Sequence, residues 1–319
     1  MWSSSVSVAR PQRDSPPAGT VPANGTSVSS AAPPVPVPIE LVPQRRRRRV
    51  PASPFRYFAL FFFAVLILTP VYVLVVTSFK DAIETDPSHA WSLPGNWTLT
   101  AWRDAWDQLS PSLANSFKLA IPATVLSCVL GSLNGFVLSK WRFPGADYVF
   151  TFFLFGMFIP YQAVMIPMIQ LFDDVHFPTG IPRLVFAHVV YGIPITALIF
   201  RNYYATIPDE LMEAARMDRA GMLRAYWSVI LPLSAPAFVV AAIWQFTSIW
   251  NDFLFAVFII TDPDSWPVTV ALNNTAGSVV TPYNLQMAGA LLASLPTLLV
   301  YILLGRFFMR GLMAGALKG

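Results

Sequence analysis

From residue 58 onward the chain alternates between apolar runs of roughly twenty residues and short polar joints. A helix rises about 1.5 Å per residue, so about 20 mostly apolar residues cross the ~30 Å hydrocarbon layer of a bilayer. Six runs qualify: Phe58–Thr77, Phe117–Leu138, Tyr148–Leu171, Leu184–Phe200, Ala235–Ile260 and Met287–Phe308. Each predicts one spanning helix. Pro122, Pro160, Pro167, Pro194 and Pro296 fall inside them and predict kinks, because neighbouring helices or water re-satisfy the carbonyls that proline frees.

One stretch breaks the pattern. Pro208–Pro232, "PDELMEAARMDRAGMLRAYWSVILP", is an amphipathic island between the fourth and fifth runs. Pro208, Asp209 and Glu210 suit the first turn of a helix, whose positive end favours acids. Leu211, Ala214, Ala215 and Asp218 recur at spacings of three and four, which predicts one small, mostly apolar face. A second short helix is expected over Met222–Ile230, closed by Pro232. A helix resting on lipid favours large hydrophobes opposite lysines. Here the face is alanine-lined and acids equal or exceed bases in the first helix, so the island reads as a docking element for a protein partner.

Composition agrees with a membrane protein: 55% of residues are hydrophobic and 12% charged, and the mean hydropathy is +0.54. That excludes a soluble core in a polar shell. The basic residues give the orientation. Of the 21 Lys and Arg, all but Lys80, Arg103, Lys118 and Arg183 fall on one side when the joints are assigned alternately. The unbroken run Arg45–Arg49 stands just before the first span. The rule that basic loops stay inside then predicts both termini, and the island, in the cytoplasm. The net charge of +4 is this bias; the arginine run is a topology anchor on anionic lipid and does not imply nucleic acid.

Residues 1–54 hold no apolar run and are rich in Pro, Ser, Ala and Val, which predicts a disordered cytoplasmic tail ahead of a membrane domain over 55–319. No cleaved signal peptide is evident in it. Cys128 is the single cysteine, so no internal disulfide forms, and His89, His176 and His188 lack metal-ligand spacing. The outer stretch Lys80–Asn115, with Trp91, Trp97, Trp102 and Trp106, predicts an amphipathic turn on the membrane surface. Thr261–Asn284 predicts a polar, turn-rich outer loop. Asp252 is the sole acid inside a predicted span, with Asn251, Trp250 and Gln245 beside it; Gln162 stands near Pro160. Two readings stand for these five: they line a solute path, or they hydrogen-bond between helices.

"EAARMDRAGMLRAYWSVILP" (Glu213–Pro232) resembles the loop by which permease subunits of bacterial ATP-binding-cassette importers are identified. That pattern is Glu-Ala-Ala, three residues, Gly, nine residues, Ile, one residue, Leu-Pro. Glu213, Ala214, Ala215, Leu231 and Pro232 match it, and Val229 replaces the isoleucine. Arg219 stands where glycine is expected. Two readings arise: Gly221 supplies the flexible position, or the loop stays helical longer. "NSFKLAIPATVLS", "RFPGAD", "MFIPYQAVMIPMIQLF", "WNDFLFA" and "FMRGLMAGALKG" resemble the carbohydrate branch, similar to the second permease of maltose-type systems.

The resemblance implies an all-α, six-helix type I importer permease in the cytoplasmic membrane of a bacterium, not an enzyme. It implies a second homologous permease, a dimer of ATPases and an extracytoplasmic sugar-binding protein as partners. Glu213, Ala214, Ala215, Asp218, Arg219, Gly221, Leu231 and Pro232 would couple to the ATPase. In such relatives the tail reaches the ATPase as well; Arg310 and Lys318 either make that contact or lie near lipid headgroups. The last outer loop would meet the binding protein. The chain has no Gly-x-x-x-x-Gly-Lys-Ser/Thr, and no lysine follows a glycine, so ATP and Mg would be bound by the partner ATPase. Another imported solute such as glycerol phosphate, an ion-coupled secondary transporter and a membrane scaffold are the rival readings.

Overall fold

The computed structural model describes residues 54–141, 143–276 and 282–316. The N-terminal tail with its arginine run lies outside these residues, as do Lys318 and the side chain of Arg310. The described residues form helices joined mostly by short turns, with no strand among them; the long exception is 79–99, which holds two single 3-10 turns, Ala82–Glu84 and Pro87–His89.

Helix α1 is Pro54–Ser78, α2 Thr100–Ser139, α3 Ala146–Phe158, α4 Tyr161–Asp174 and α5 Ile181–Ala205. The island supplies α6 (Glu210–Met217), α7 (Met222–Ala225), a π-turn over Tyr226–Ile230, and α8 (Leu231–Leu233). Beyond it lie α9 (Ala235–Trp250), α10 (Leu254–Ile259), α11 (Val268–Ala276) and α12 (Tyr283–Ala316). Among the described residues four helices are long and apolar enough to cross a membrane: α1, α2, α5 and Tyr283–Gly305 of α12. Two sharply bent pairs bring the total to six, α3 with α4 at 97° and Met222–Leu233 with α9 at 80°.

The centre of the fold is the seam between α2 and α5. Ala123, Ser127, Gly131, Gly135 and Ser139 recur every fourth residue along α2 and are all buried. A Cβ on Gly131 would stand 2.1 Å from Thr196 Oγ1, and one on Gly135 would stand 2.8 Å from the Arg201 backbone nitrogen. The two backbones therefore approach as closely as side-chain-free positions permit. Such small-residue seams drive helix association in lipid, where apolar side chains gain nothing from leaving the solvent. Thr196 Oγ1 adds a bond across the seam, donating to the Ser127 carbonyl at 3.0 Å. Half of the apolar window of α2 and of α5 is buried within the chain, against 6% of that of α1. Helix α1 packs mainly on α12 and leaves most of its surface to its surroundings.

Four expectations are corrected by the structure. The outer tryptophan segment is not all surface turn, since Thr100–Asn115 forms the first turns of α2. At 40 residues and 1.5 Å each, that helix is about 60 Å long, twice the bilayer core. Pro160 breaks its span instead of kinking it. Ile159 before it sits at φ −71°, ψ 116°, the extended conformation that the proline ring imposes on its predecessor. The fifth run is likewise discontinuous, unwound at Asn251–Phe253 between α9 and α10. And the last outer stretch carries a helix, α11, whose Val268 and Val270 are fully buried.

The end of the bundle that carries α11 is laced together by side chains bonded to backbone. Asn115 Nδ2 donates to the Asp264 carbonyl at 2.7 Å, Ser116 Oγ accepts from the Val268 amide at 2.8 Å, and Asn284 Nδ2 donates to the Lys80 carbonyl at 2.9 Å. Arg183 closes the α4–α5 turn, paired with Asp173 at 2.7 Å and bonded to the Phe177 carbonyl.

The seam makes a prediction. Gly131→Val drives two methyl groups into Thr196 and should cost about 1–3 kcal/mol, the usual penalty of overpacking. A lowered unfolding midpoint in detergent checks this; an unchanged midpoint would refute the close approach.

Candidate functional site

Two places concentrate chemistry. The first is the island. The chain turns out of α5 at Thr206, and Lys140, from the end of α2, anchors the entry to α6. Its buried Nζ donates to the Ile207 carbonyl and to Asp209 Oδ1, both at 2.5 Å. Asp209 is the N-cap residue of α6, so helix formation starts two residues later than Pro208. Met212 and Ala215 face inward and join Phe136, Phe200, Tyr204, Tyr226 and Ile230 in one apolar cluster. Arg216 lies over the Trp141 ring at 5.3 Å. Leu211, Glu213, Ala214, Met217 and Asp218 are exposed. The predicted small face thus divides. Ala214 points out beside Leu211 and Glu213, whereas Ala215 packs inside, because Met212 and Ala215 form the inward i, i+3 pair.

Helix α6 ends in a Schellman motif. The Ala220 amide donates to the Ala215 carbonyl and the Arg219 amide to the Arg216 carbonyl, each at 2.9 Å. That motif needs a left-handed residue after the C-cap, and here it is Arg219, at φ +56°. Gly221 is extended at φ −69°, ψ 169°. The turn is therefore made at the position where the resembled pattern has glycine, and Gly221 does not replace it. Pro232 does not end the second helix either; it lies inside α8, and the chain bends after it, at Ser234.

Below the island a buried polar chain ties four elements. Ser132 Oγ of α2 shares hydrogen bonds with Tyr204 OH (2.6 Å) of α5 and Tyr226 OH (2.8 Å) of the π-turn. Ser234 Oγ reaches Tyr204 OH at 3.1 Å and the Ile230 carbonyl at 2.5 Å. Satisfied buried networks of this kind fix one arrangement of the elements they join.

The second place is a cavity of about 520 Å³ at the α9–α10 break. Backbone can unwind at membrane depth only where protein or a cavity satisfies it. The Asp252 carbonyl is so satisfied, accepting from Thr269 Oγ1 at 2.7 Å. The break turns the Asp252 carboxylate toward α5, where His188 Nε2 stands 3.6 Å from Oδ2. Gln245 is buried and donates to the His188 carbonyl at 3.3 Å. Of the predicted residues, Gln245, Asn251 and Asp252 line this cavity. Trp250 does not. It is buried the other way, stacked on Phe246 with its Nε1 donating to the Ala293 carbonyl at 2.9 Å. Gln162 is exposed on α4 and away from it. His188, Tyr161, Tyr191 and Ser248 also line the cavity. His188 carries a usable sequence signal, being a histidine inside an apolar span.

Residues 123–313 match the family described as binding-protein-dependent transport system inner membrane component. A probable ABC transporter permease protein of Pyrococcus horikoshii is 50% identical over 165 residues, 52% of this chain and 60% of that one. The xylose/arabinose import permease protein of Haloferax volcanii is 34% identical over 285 residues, covering 81% of this chain and 91% of its own. Among solved structures, a bacterial ABC transporter involved in import of the acidic polysaccharide alginate superposes with a TM-score of 0.66 at 23% identity, covering 80% of this chain and 95% of that chain. The fold is that of a type I importer permease, and the chain belongs to the family of binding-protein-dependent inner-membrane transport components. It is thus a membrane-embedded permease and not an enzyme, and its family works with an ATPase and a binding protein.

Arg219→Gly should stabilise the end of α6 by about 1 kcal/mol, because a left-handed conformation strains an L-residue and not glycine. Gly221→Ala should be neutral, since its φ is negative and nothing lies within 4 Å of an added Cβ. Thermal unfolding of the two variants checks both; the opposite order would place the turn at Gly221.

Proposed function

We propose that this chain is one of two homologous permease subunits of an ATP-driven sugar importer, with α6 as the element that receives motion from the ATPase. The observation that carries the reading is the division of α6. Its inner face is fastened to the spans through Met212 and Ala215, while Leu211, Glu213, Ala214 and Met217 face outward, Met217 being 84% exposed. A helix fastened on one side and presenting apolar side chains on the other suits a groove on a partner. Glu213 is its acid, suited to a basic residue of that partner, and the small Ala214 lets the surfaces close. Asp218, Arg219 and Gly221 form the turn behind it. Leu231 and Pro232 carry the displacement into the bend at Ser234.

ATP and magnesium would reside on the ATPase chains, and both termini of this chain would face them from the cytoplasm, as the basic residues of the inner joints require. The second permease would cover the faces this chain leaves open, among them Phe152, Phe155 and Phe158 of α3. The sugar assignment is supported by the Haloferax volcanii relative, whose name gives xylose and arabinose as its cargo, and by a cavity lined with aromatic, amide and hydroxyl groups.

Glu213→Lys should abolish uptake and uncouple ATP hydrolysis from the liganded binding protein, while the chain still inserts and unfolds at its normal temperature. Transport at the native rate in that variant would overturn the role of α6.

A further inference from the structure

Residues 79–99, between α1 and α2, form a closed loop with its polar groups turned in and its apolar side chains out. The Thr98 amide donates to the Phe79 carbonyl at 3.0 Å and joins the two ends. Lys80 is 1% exposed, and its Nζ donates to the His89 carbonyl at 2.7 Å. The Ser92 amide and hydroxyl reach the same carbonyl, at 3.0 and 2.8 Å. Tyr72 OH of α1 donates to the Trp91 carbonyl at 3.2 Å. In an ordinary surface loop water serves such carbonyls; here side chains and backbone of the chain do. Meanwhile Trp91, Leu93 and Trp97 are 64%, 62% and 64% exposed.

The bond to Tyr72 sets the depth of the loop. Tyr72 stands six residues before the end of α1 at Ser78, about 9 Å back along the axis. Helical side chains lean toward the N-terminus, so its hydroxyl lies no nearer that end than its Cα. With 25 residues, α1 is about 37 Å long, against a hydrocarbon layer of ~30 Å. Even if the whole excess of about 7 Å protrudes at this end, the Trp91 carbonyl sits at or below the hydrocarbon edge. From Tyr57 to Phe79 the chain carries no charge, and the side chains of Val71 and Val75 beside Tyr72 are exposed. The loop therefore continues the open apolar surface of a spanning helix.

We propose that the 79–99 loop is a lipid-contact element, with Trp91, Leu93 and Trp97 lodged between headgroups and upper acyl chains. Tryptophan suits that layer because its ring is apolar and its N–H seeks a polar partner. The internal bonds let the loop enter, since an unbonded carbonyl at that depth is costly. Asn284 Nδ2, at the start of α12, donates to the Lys80 carbonyl at 2.9 Å. The anchor thus holds the ends of α1 and α12 at one level in the bilayer. Nothing in this depends on which solute the chain carries.

The test is a depth measurement on the complete transporter in phosphatidylcholine nanodiscs. In a Cys128→Ser background, which removes the single cysteine, spin labels are placed one at a time through Trp91→Cys, Leu93→Cys and Trp97→Cys. Collisions with oxygen and with a water-soluble nickel chelate are then compared. All three labels should favour oxygen and read about 5–10 Å below the phosphates, the depth of interfacial apolar groups. Free access of the chelate would place the loop in water, and exclusion of both reagents would assign it to a protein partner; either result overturns the proposal. The native rings give a second reading that needs no label. Phosphatidylcholine brominated high on its acyl chains should quench the fluorescence of the unaltered transporter more than that of a variant carrying Trp91→Phe and Trp97→Phe together. Equal fractional quenching of the two proteins would also sink the idea.

Discussion

Everything else in this molecule hangs on how closely two backbones can approach. In lipid, burying an apolar side chain against another helix releases no water, so contact must come from shape. Gly131 and Gly135 give α2 a flat strip, and α5 lies on it with no room for even one added carbon. Once that pair is fixed, α9 packs across both, with Gly192 leaving the space that the Gln245 side chain fills; a Cβ there would stand 2.2 Å from Gln245 Nε2. The hydroxyls and amides of the interior are placed by this sequence of approaches. Ser132, between the two glycines, is where the tyrosines of α5 and the π-turn converge.

The same constraint explains why the two chemically rich places differ. At the end next to α6 every buried polar group in the serine–tyrosine chain has a partner, and Lys140 is held by a carbonyl and a carboxylate. That end is built to hold one arrangement. At the α9–α10 break the helix ladder is interrupted, a carboxylate is turned inward, and a buried ring nitrogen has no hydrogen-bond partner among the described residues. An incomplete set of bonds is costly in a low dielectric, so this place is held less firmly than the serine–tyrosine chain.

Much of this is legible in the sequence. Six apolar runs locate the spans, and the Glu-Ala-Ala island locates the amphipathic joint and the family. The features that the runs hide come from physics that hydropathy ignores. A window average cannot see that Ile159 is extended because Pro160 comes next, so a 97° corner looks like a kink. Polar residues at the head of α2 look like surface turn, because an apolar window starts counting only at Phe117. Ala214 and Ala215 are alike by composition, and only the register set by Met212 sends one out and the other in. Trp250 is adjacent to Asn251 and Asp252, yet the helix ends between them and they part. Spacing rules for metal ligands say nothing of His188, whose significance lies in its burial beside a carboxylate. Arg219 departs from the family pattern, although the left-handed turn survives the substitution.

Helix α9 runs unbroken between two interruptions, the 80° corner at Ser234 and the unwound Asn251–Phe253. Sixteen residues make it about 24 Å long. Because it packs along its length on α2, α5 and α12, its axial register is set by those neighbours, with Gln245 lodged against Gly192. An inserted or deleted residue at either interruption can be absorbed there, whereas one inside α9 would turn every following side chain by about 100° and unseat Gln245.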